Sequence, residues 1–546
     1  MSARLAWFLF SVVVSAVVAQ DVLVTVEQGV LRGSVVISKL GTPYAAFRGV
    51  PYATPPLGDL RFQAPQPAAS WSGVRDALEE GSACTQVPLP DFPTARDPGD
   101  EDCLVLNLYV PLNTTEPPPV YVWMPGGGYF VGSGTIAQYG PDLLIEEGIA
   151  AVTVNYRLGA LGFLSTEDEV IPGNAGLKDQ VMALRWLQQN VAAFGADPEK
   201  VTVGGESAGG SSAAHHLISP SSAGLFRSVT IESGESVSPY GVTSVAREKA
   251  FRLGQVLGFS TNDSRELLDF LRTQDAHELV AHDADVQTEA ERLSMNTMVF
   301  LPVVEPDLEG AFMTDRPANN LRAGRFNKVP VLEGATSGEG AVLLGPPLKP
   351  AYLEDAALLQ QLSDHFVEAV STLVHLPTSA QREQAALQLR DFYFGHENIT
   401  LDDAQALVDM TSDIFFVEPA DSAVRIIANH SDAGPLYYYQ FDYRGSELGN
   451  STYGTPHASD AQLLWLRPDE SPPDANTTFG LLRSNLVRLW SNFIKYGTPS
   501  PEGEPIVWTP FNNADLNYLH ITDTFTMEQN VNQERMDFWH QNIPVY

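Results

Sequence analysis

The run Gly205-Glu206-Ser207-Ala208-Gly209 sets a serine hydroxyl between glycines in a G-x-S-x-G pattern. The β-prone Val201-Thr202-Val203 precedes it, and small, helix-compatible residues follow as far as His216. The stretch therefore reads as strand, tight turn and helix, with the serine at the apex. A residue at such a turn is held in a strained backbone, and neighbours without Cβ let strand and helix close around it. The hydroxyl of Ser207 then stands above the strand end, at a helix N-terminus whose partial positive charge favours developing negative charge. That arrangement suits nucleophilic attack on an acyl carbon. A glycine-rich turn carrying a solvated serine is the alternative.

A serine hydroxyl is a weak nucleophile at neutral pH. It needs a base, the base needs an orienter, and the tetrahedral oxyanion needs donors. On a parallel sheet the chain order is serine, acid, histidine, so the partners are expected downstream, each just after a strand. His215 and His216 are near in sequence, but two helical turns past the serine they point elsewhere.

The elements that must position these groups follow from periodicity and breakers. Strands are expected at 22–36 (a short meander), 101–111, 120–124, 149–154, 201–203, 226–231, 329–334, 436–441 and 516–521. Leu177, Val181, Leu184, Leu187, Val191 and Phe194 recur at helical spacing, with Asn174 as a candidate N-cap and Gly195 as the stop. Further helical patterns cover 244–282, 354–410 (with poor capping signals) and 477–495. Strands alternating with helices predict right-handed βαβ units and a mostly parallel α/β sheet.

Length, charge and cysteine usage bound the rest. A chain of 546 residues suggests about three or four domains by length alone. No repeat, low-complexity tail or long linker divides it, so one large domain over 20–546 is expected. The formal net charge of −35, from 67 acidic and 32 basic residues, argues against nucleic acid and anionic membrane surfaces as partners. Residues 1–19 read as a cleaved signal peptide: Arg4, an apolar run over 5–18, and Val17-Val18-Ala19 before the cut. That run is short for a bilayer, no later stretch is apolar enough to span one, and the C-terminus has no retention or prenylation signal. A secreted, extracellular protein is expected.

In that compartment Cys84 and Cys103 are expected to pair, which closes a loop for about 3 kcal/mol; two free thiols are the alternative. Two cysteines without clustered ligand spacing give no metal site. Six N-x-[S/T] sequons, at Asn113, Asn262, Asn398, Asn429, Asn450 and Asn476, are candidate glycosylation sites.

The sequence resembles the type-B carboxylesterases, the cholinesterase-like branch of the α/β-hydrolases, over nearly the whole mature chain. The resemblance rests on segments 47–62, 101–111, 126–128, 155–163 and 205–210, and on Trp490-Ser491-Asn492-Phe493. Segment 166–174, with Gly173-Asn174-Ala175-Gly176-Leu177, looks most like arthropod members. The resemblance implies a large, twisted, mostly parallel sheet with helices on both faces, a small-molecule ester substrate and no cofactor.

It also carries over residue roles. Ser207 is the nucleophile. Glu339, in Gly334-Ala335-Thr336-Ser337-Gly338-Glu339-Gly340, is the acid. His457, in Gly454-Thr455-Pro456-His457-Ala458-Ser459-Asp460, is the base. Gly127 and Gly128, with Ala208, donate to the oxyanion. Two positions depart from the pattern. Pro125 stands where esterases usually carry histidine. Glu232-Ser233-Gly234-Glu235 replaces a typical Q-S-G-S, which puts a carboxylate near the catalytic histidine.

Between Cys84 and Cys103 there is no tryptophan to stack on choline, which argues against a cholinesterase. Glu206, where juvenile hormone esterases usually have glutamine, argues against that substrate. Neutral, hydrophobic esters remain, among them odorants and pheromones. The competing class is a cholinesterase-like adhesion protein without catalysis, which typically lacks a triad member. Nothing in the sequence sets the oligomeric state.

Overall fold

The computed structural model describes residues 21–543 except 91, 346–350, 396–397 and 450–451. The expected signal peptide and Asn450 lie outside the described residues. Thirteen strands are found among them: β1 (Asp21–Val26), β2 (Gly29–Ile37), β3 (Pro43–Pro51), β4 (Val74–Asp76), β5 (Val105–Pro111), β6 (Val120–Met124), β7 (Ala150–Val154), β8 (Val201–Glu206), β9 (Ser228–Glu232), β10 (Val331–Thr336), β11 (Leu436–Phe441), β12 (Asn517–Ile521) and β13 (Phe525–Gln529). They form one sheet in the order β1-β2-β3-β5-β7-β6-β8-β9-β10-β11-β12-β13, with β4 paired to β2. The stretch from β7 to β12 is parallel, while the β1-β2-β3-β5 end and the β12–β13 edge are antiparallel, apart from the short β4, which pairs parallel with β2.

Side-chain alternation explains the layers. Along β6, Val120, Val122 and Met124 point into one hydrophobic core, and Tyr121 and Trp123 into the other. The helices Ala175–Asn190 and Ala208–Ile218 fill the first core, with Leu177, Leu184, Ala213 and Leu217 fully shielded from solvent. Thr478–Tyr496 covers the other face, where Trp490 meets Tyr439 edge-on at 5.2 Å. Strands buried on both faces read as continuous apolar runs, which is why β6 and β7 were legible. The mostly parallel sheet with helices on both sides is the architecture expected.

Several expectations shift. Asn174 does occupy the N-cap position, its carbonyl accepting from Lys178 N (2.9 Å), but it adopts a left-handed backbone (φ 56) and its side chain makes no cap bond. Its side chain instead donates to Val303 and Glu305, tying the helix to a distant loop. The 354–410 region is well capped, by Asp355 on Ala357 and Leu358 and by a capping box between Thr378 and Gln381. The 101–111 strand starts only at Val105, because Cys103 is held in the disulfide to Cys84.

Candidate active site

Ser207 lies between β8 and the helix Ala208–Ile218 with φ 58 and ψ −126. A non-glycine residue there is strained, and the surroundings must hold it. Its N–H donates to Glu232 O (2.9 Å), and its carbonyl accepts from Ser211 N (2.8 Å). A Cβ at Gly209 would fall 1.9 Å from Met124 O, so the helix start presses backbone to backbone on the end of β6. The same crowding governs the loop after β6. Gly127 has φ +119, and a Cβ there would lie 2.1 Å from Val131 O. Ala208 is buried as the first residue of the helix.

Glu339 is fully buried just past β10. Its Oε1 accepts from Ser233 Oγ (2.5 Å) and Thr336 N (2.6 Å), and its Oε2 meets His457 Nδ1. The other ring nitrogen of His457, Nε2, lies 2.9 Å from Glu206 Oε1. The imidazole thus stands between two carboxylates, with the Phe416 ring 4.8 Å from its centroid. Burial opposes a charged imidazolium, but Glu339 and then Glu206 outweigh it and push the His457 pKa up to about 10. Among the described residues no hydrogen bond joins Ser207 Oγ to Nε2. Hydrogen bonds of this kind often close only when substrate is bound.

Ser207, His457, Glu206 and Gly126 to Gly128 line one cavity of about 780 Å³. Phe92, Phe130, Tyr240, Met298, Leu343 and Phe416 form its apolar walls, and the exposed Arg96 and Asp469 and the half-buried Arg467 add charge. Phe92 and Arg96 come from the loop closed by the disulfide, which is fastened by Gln86 Oε1 accepting from Gly132 N (2.8 Å). Phe416 comes from the π-helical turn Asp413–Val417, a widened turn of the kind that gathers at functional sites. Neither these walls nor the Glu206–His457 contact was visible in the sequence. The only signal was an acidic residue beside the serine.

The two departures resolve differently. The Glu235 carboxylate does not reach the histidine. Its Oε2 accepts from the backbone N–H groups of Ser236 and Val237, and burial pushes its pKa up to about 7. Ser233, not residue 235, touches the acid. Pro125 keeps only its carbonyl for hydrogen bonding, and that accepts from Tyr156 Oη at 2.7 Å. His215 and His216 are fully buried away from the cavity. His215 Nδ1 is 2.7 Å from Ser211 O, and His216 bridges Ser222 and Gln180. Burial lowers their pKa values to about 4 and about 3. Asn113, Asn262, Asn398, Asn429 and Asn476 are exposed. Among the described residues no helix is long and apolar enough to cross a membrane.

The described geometry can be set beside known proteins. The model of the carboxylesterase family matches residues 20–539. Venom carboxylesterase-6 of Apis mellifera is 34% identical over 94% of this chain and 93% of its own length. A carboxylic ester hydrolase of Bombus ignitus is 33% identical over 94% and 92%. The juvenile hormone esterase of Tribolium castaneum is 32% identical over 95% and 93%. With the sheet, the elbow and the cavity described above, these matches establish that the chain belongs to the carboxylesterase family, has the α/β-hydrolase fold and is a carboxylic ester hydrolase.

Proposed function

We propose that the protein is a secreted serine carboxylesterase that hydrolyses neutral, hydrophobic carboxylic esters through an acyl-enzyme. Ser207 Oγ attacks the ester carbonyl while His457 Nε2 takes its proton. Glu339 orients the ring through Nδ1 and stabilises the imidazolium. The N–H groups of Gly127, Gly128 and Ala208 bind the oxyanion. Collapse breaks the bond to the alkoxy oxygen, which leaves as the alcohol with the proton from His457. Water, deprotonated by the same imidazole, then releases the carboxylic acid and restores Ser207. The observation that carries this reading is a buried Glu339 on His457 Nδ1, with His457 and Ser207 on the walls of one cavity. The apolar walls support a hydrophobic acyl or alcohol group.

The test is a panel of p-nitrophenyl esters of rising acyl length, run with wild type and Ser207→Ala. Loss of a nucleophile that acts with its base costs roughly 10⁴-fold or more in kcat. An organophosphate should leave a mass adduct on the Ser207 peptide. Activity retained by Ser207→Ala would refute the assignment. Export and glycosylation, with glycans at the exposed sequons, are read separately. Protein recovered from the medium of eukaryotic cells should begin near residue 20 and gain mobility after endoglycosidase treatment.

A further inference from the structure

Two segments distant in the chain must meet for the acid to touch the base. Glu339 sits on the turn that follows β10, and His457 on the loop between β11 and the turn Ala461–Leu464. Glu339 is fixed on its own side by Thr336 N and by Ser233 Oγ, just past β9. Beside the Glu339–His457 contact, two hydrogen bonds stitch the segments together. Gly338 N donates to Thr455 O (2.9 Å), and Thr455 N donates to Ser337 Oγ (2.9 Å). Gly338 thereby bridges to Pro456, one residue before the base. The backbones run so close that a Cβ on Gly338 would fall 2.7 Å from Tyr453 O. The first bond joins backbone to backbone. The second depends on the Ser337 hydroxyl.

That hydroxyl can accept from Thr455 N only if its own proton points elsewhere, and Asp442 settles the direction. Ser337 Oγ lies 2.5 Å from Asp442 Oδ1. Burial opposes charge on this carboxyl, but hydrogen bonds from His520, Arg444 and Ser337 outweigh it and hold its pKa at about 2. An ionised carboxylate only accepts. The hydroxyl therefore donates to Asp442 and turns its lone pairs to Thr455. Asp442 is held in turn: Arg444 Nε donates to Oδ1 (2.8 Å), and His520 Nε2 lies 3.9 Å from Oδ2. We propose that Ser337, oriented by Asp442, is a positioning residue for ester hydrolysis, setting the His457 loop in register with the turn that carries Glu339. The inference rests on the roles given to Glu339 and His457 above. Ser337 and Asp442 are not among the residues that line the cavity, so their effect falls on turnover and not on substrate binding. Misplacing a reacting group by about 1 Å can cost roughly 10²-fold in rate.

The experiment compares p-nitrophenyl butyrate hydrolysis by the full chain in wild type, Ser337→Ala, Ser337→Thr, Asp442→Ala and Asp442→Asn. Ser337→Ala should lower the pH-independent kcat by roughly tenfold, with KM within about twofold of wild type. Ser337→Thr keeps the hydroxyl and should recover most of that loss. Asp442→Ala frees the hydroxyl to rotate and should cost severalfold in kcat. Asp442→Asn keeps an acceptor at Oδ1 and should cost less. Proton NMR reads the geometry directly: the strongly deshielded Nδ1–H that His457 shares with Glu339 should broaden or move upfield in Ser337→Ala and return in Ser337→Thr. Asp442 is half-buried, so its two variants carry the test should Ser337→Ala fail to fold. Wild-type kcat in Ser337→Ala or Asp442→Ala, a loss confined to KM, no recovery with threonine, or an unmoved resonance would each overturn the proposal. Failure of the underlying reading shows elsewhere, as activity surviving in Ser207→Ala.

Discussion

The charge state of His457 is set by two carboxylates, not one. Glu339 sits on Nδ1 and Glu206 on Nε2, and together they hold the imidazole protonated well above its ordinary range. In the mechanism proposed above His457 is the base, and a base works only in its neutral form, so kcat/KM should rise with pH as His457 loses its proton. Glu206→Gln removes one of the two charges that raise that pKa. Its acidic limb should therefore move to lower pH, with a severalfold gain in the ratio of activity at pH 6 to that at pH 9. A pH–rate profile checks this, and an unmoved limb would detach Glu206 from the base. At this scale the sequence was informative where a residue type is tied to a short motif, as with Ser207, Glu339 and His457. It was silent on contacts across the sheet. Glu206 bears on substrate class in the sequence but not on the histidine, and Glu235 is expected near a histidine it does not touch.

Among the elements, two carry the site's shape. The elbow needs Gly209, because any side chain there would overlap Met124 O. Gly209→Ala should leave little folded protein, read as loss of the soluble fraction, while Ala213→Gly in the same helix should cost only about 1 kcal/mol. The loop closed by Cys84–Cys103 forms a cavity wall through Phe92 and Arg96. Replacing both cysteines by serine should lower stability by about 3 kcal/mol in denaturant titrations. It should also raise KM more than it lowers kcat, since the loop lines the cavity and carries none of the proposed reacting groups. Element reading succeeded for strands buried on both faces, such as β6 and β11. It missed β3, whose terminal prolines Pro43 and Pro51 read as breakers, and β13, whose residues are mostly exposed. The helices Glu418–Ile427 and Gln533–Asn542 also went unseen. One continues from a π-helical turn, and the other starts at the left-handed Asn532 and carries no sharp apolar stripe.

Over the whole molecule, an acidic chain has buried part of its acidity. Burial raises the pKa of both Glu235 and Glu418 to about 7, above the 4.5 of an unfolded glutamate. Between those values the folded state holds protons that the unfolded state has lost. Stability from these groups is therefore present below about pH 4.5 and falls as pH rises through 7, by up to about 3 kcal/mol each. Glu235→Gln should flatten the decline in melting temperature between pH 5 and 8, and equal slopes in both proteins would rule this out. We also propose that residues 20–546 melt as one domain, since one sheet takes strands from Asp21 to Gln529. Length alone pointed to several domains; the absence of linkers pointed to one.

The hydroxyl and the imidazole are made far apart in the chain. Ser207 follows β8, whereas His457 arrives only after β11, where Gly338 bridges to Pro456. A nascent chain leaving the ribosome thus carries the serine turn for much of its synthesis without the histidine proposed to arm it. Translation halted before codon 457 should yield an inert fragment rather than a weak enzyme, since the proposed base would be missing.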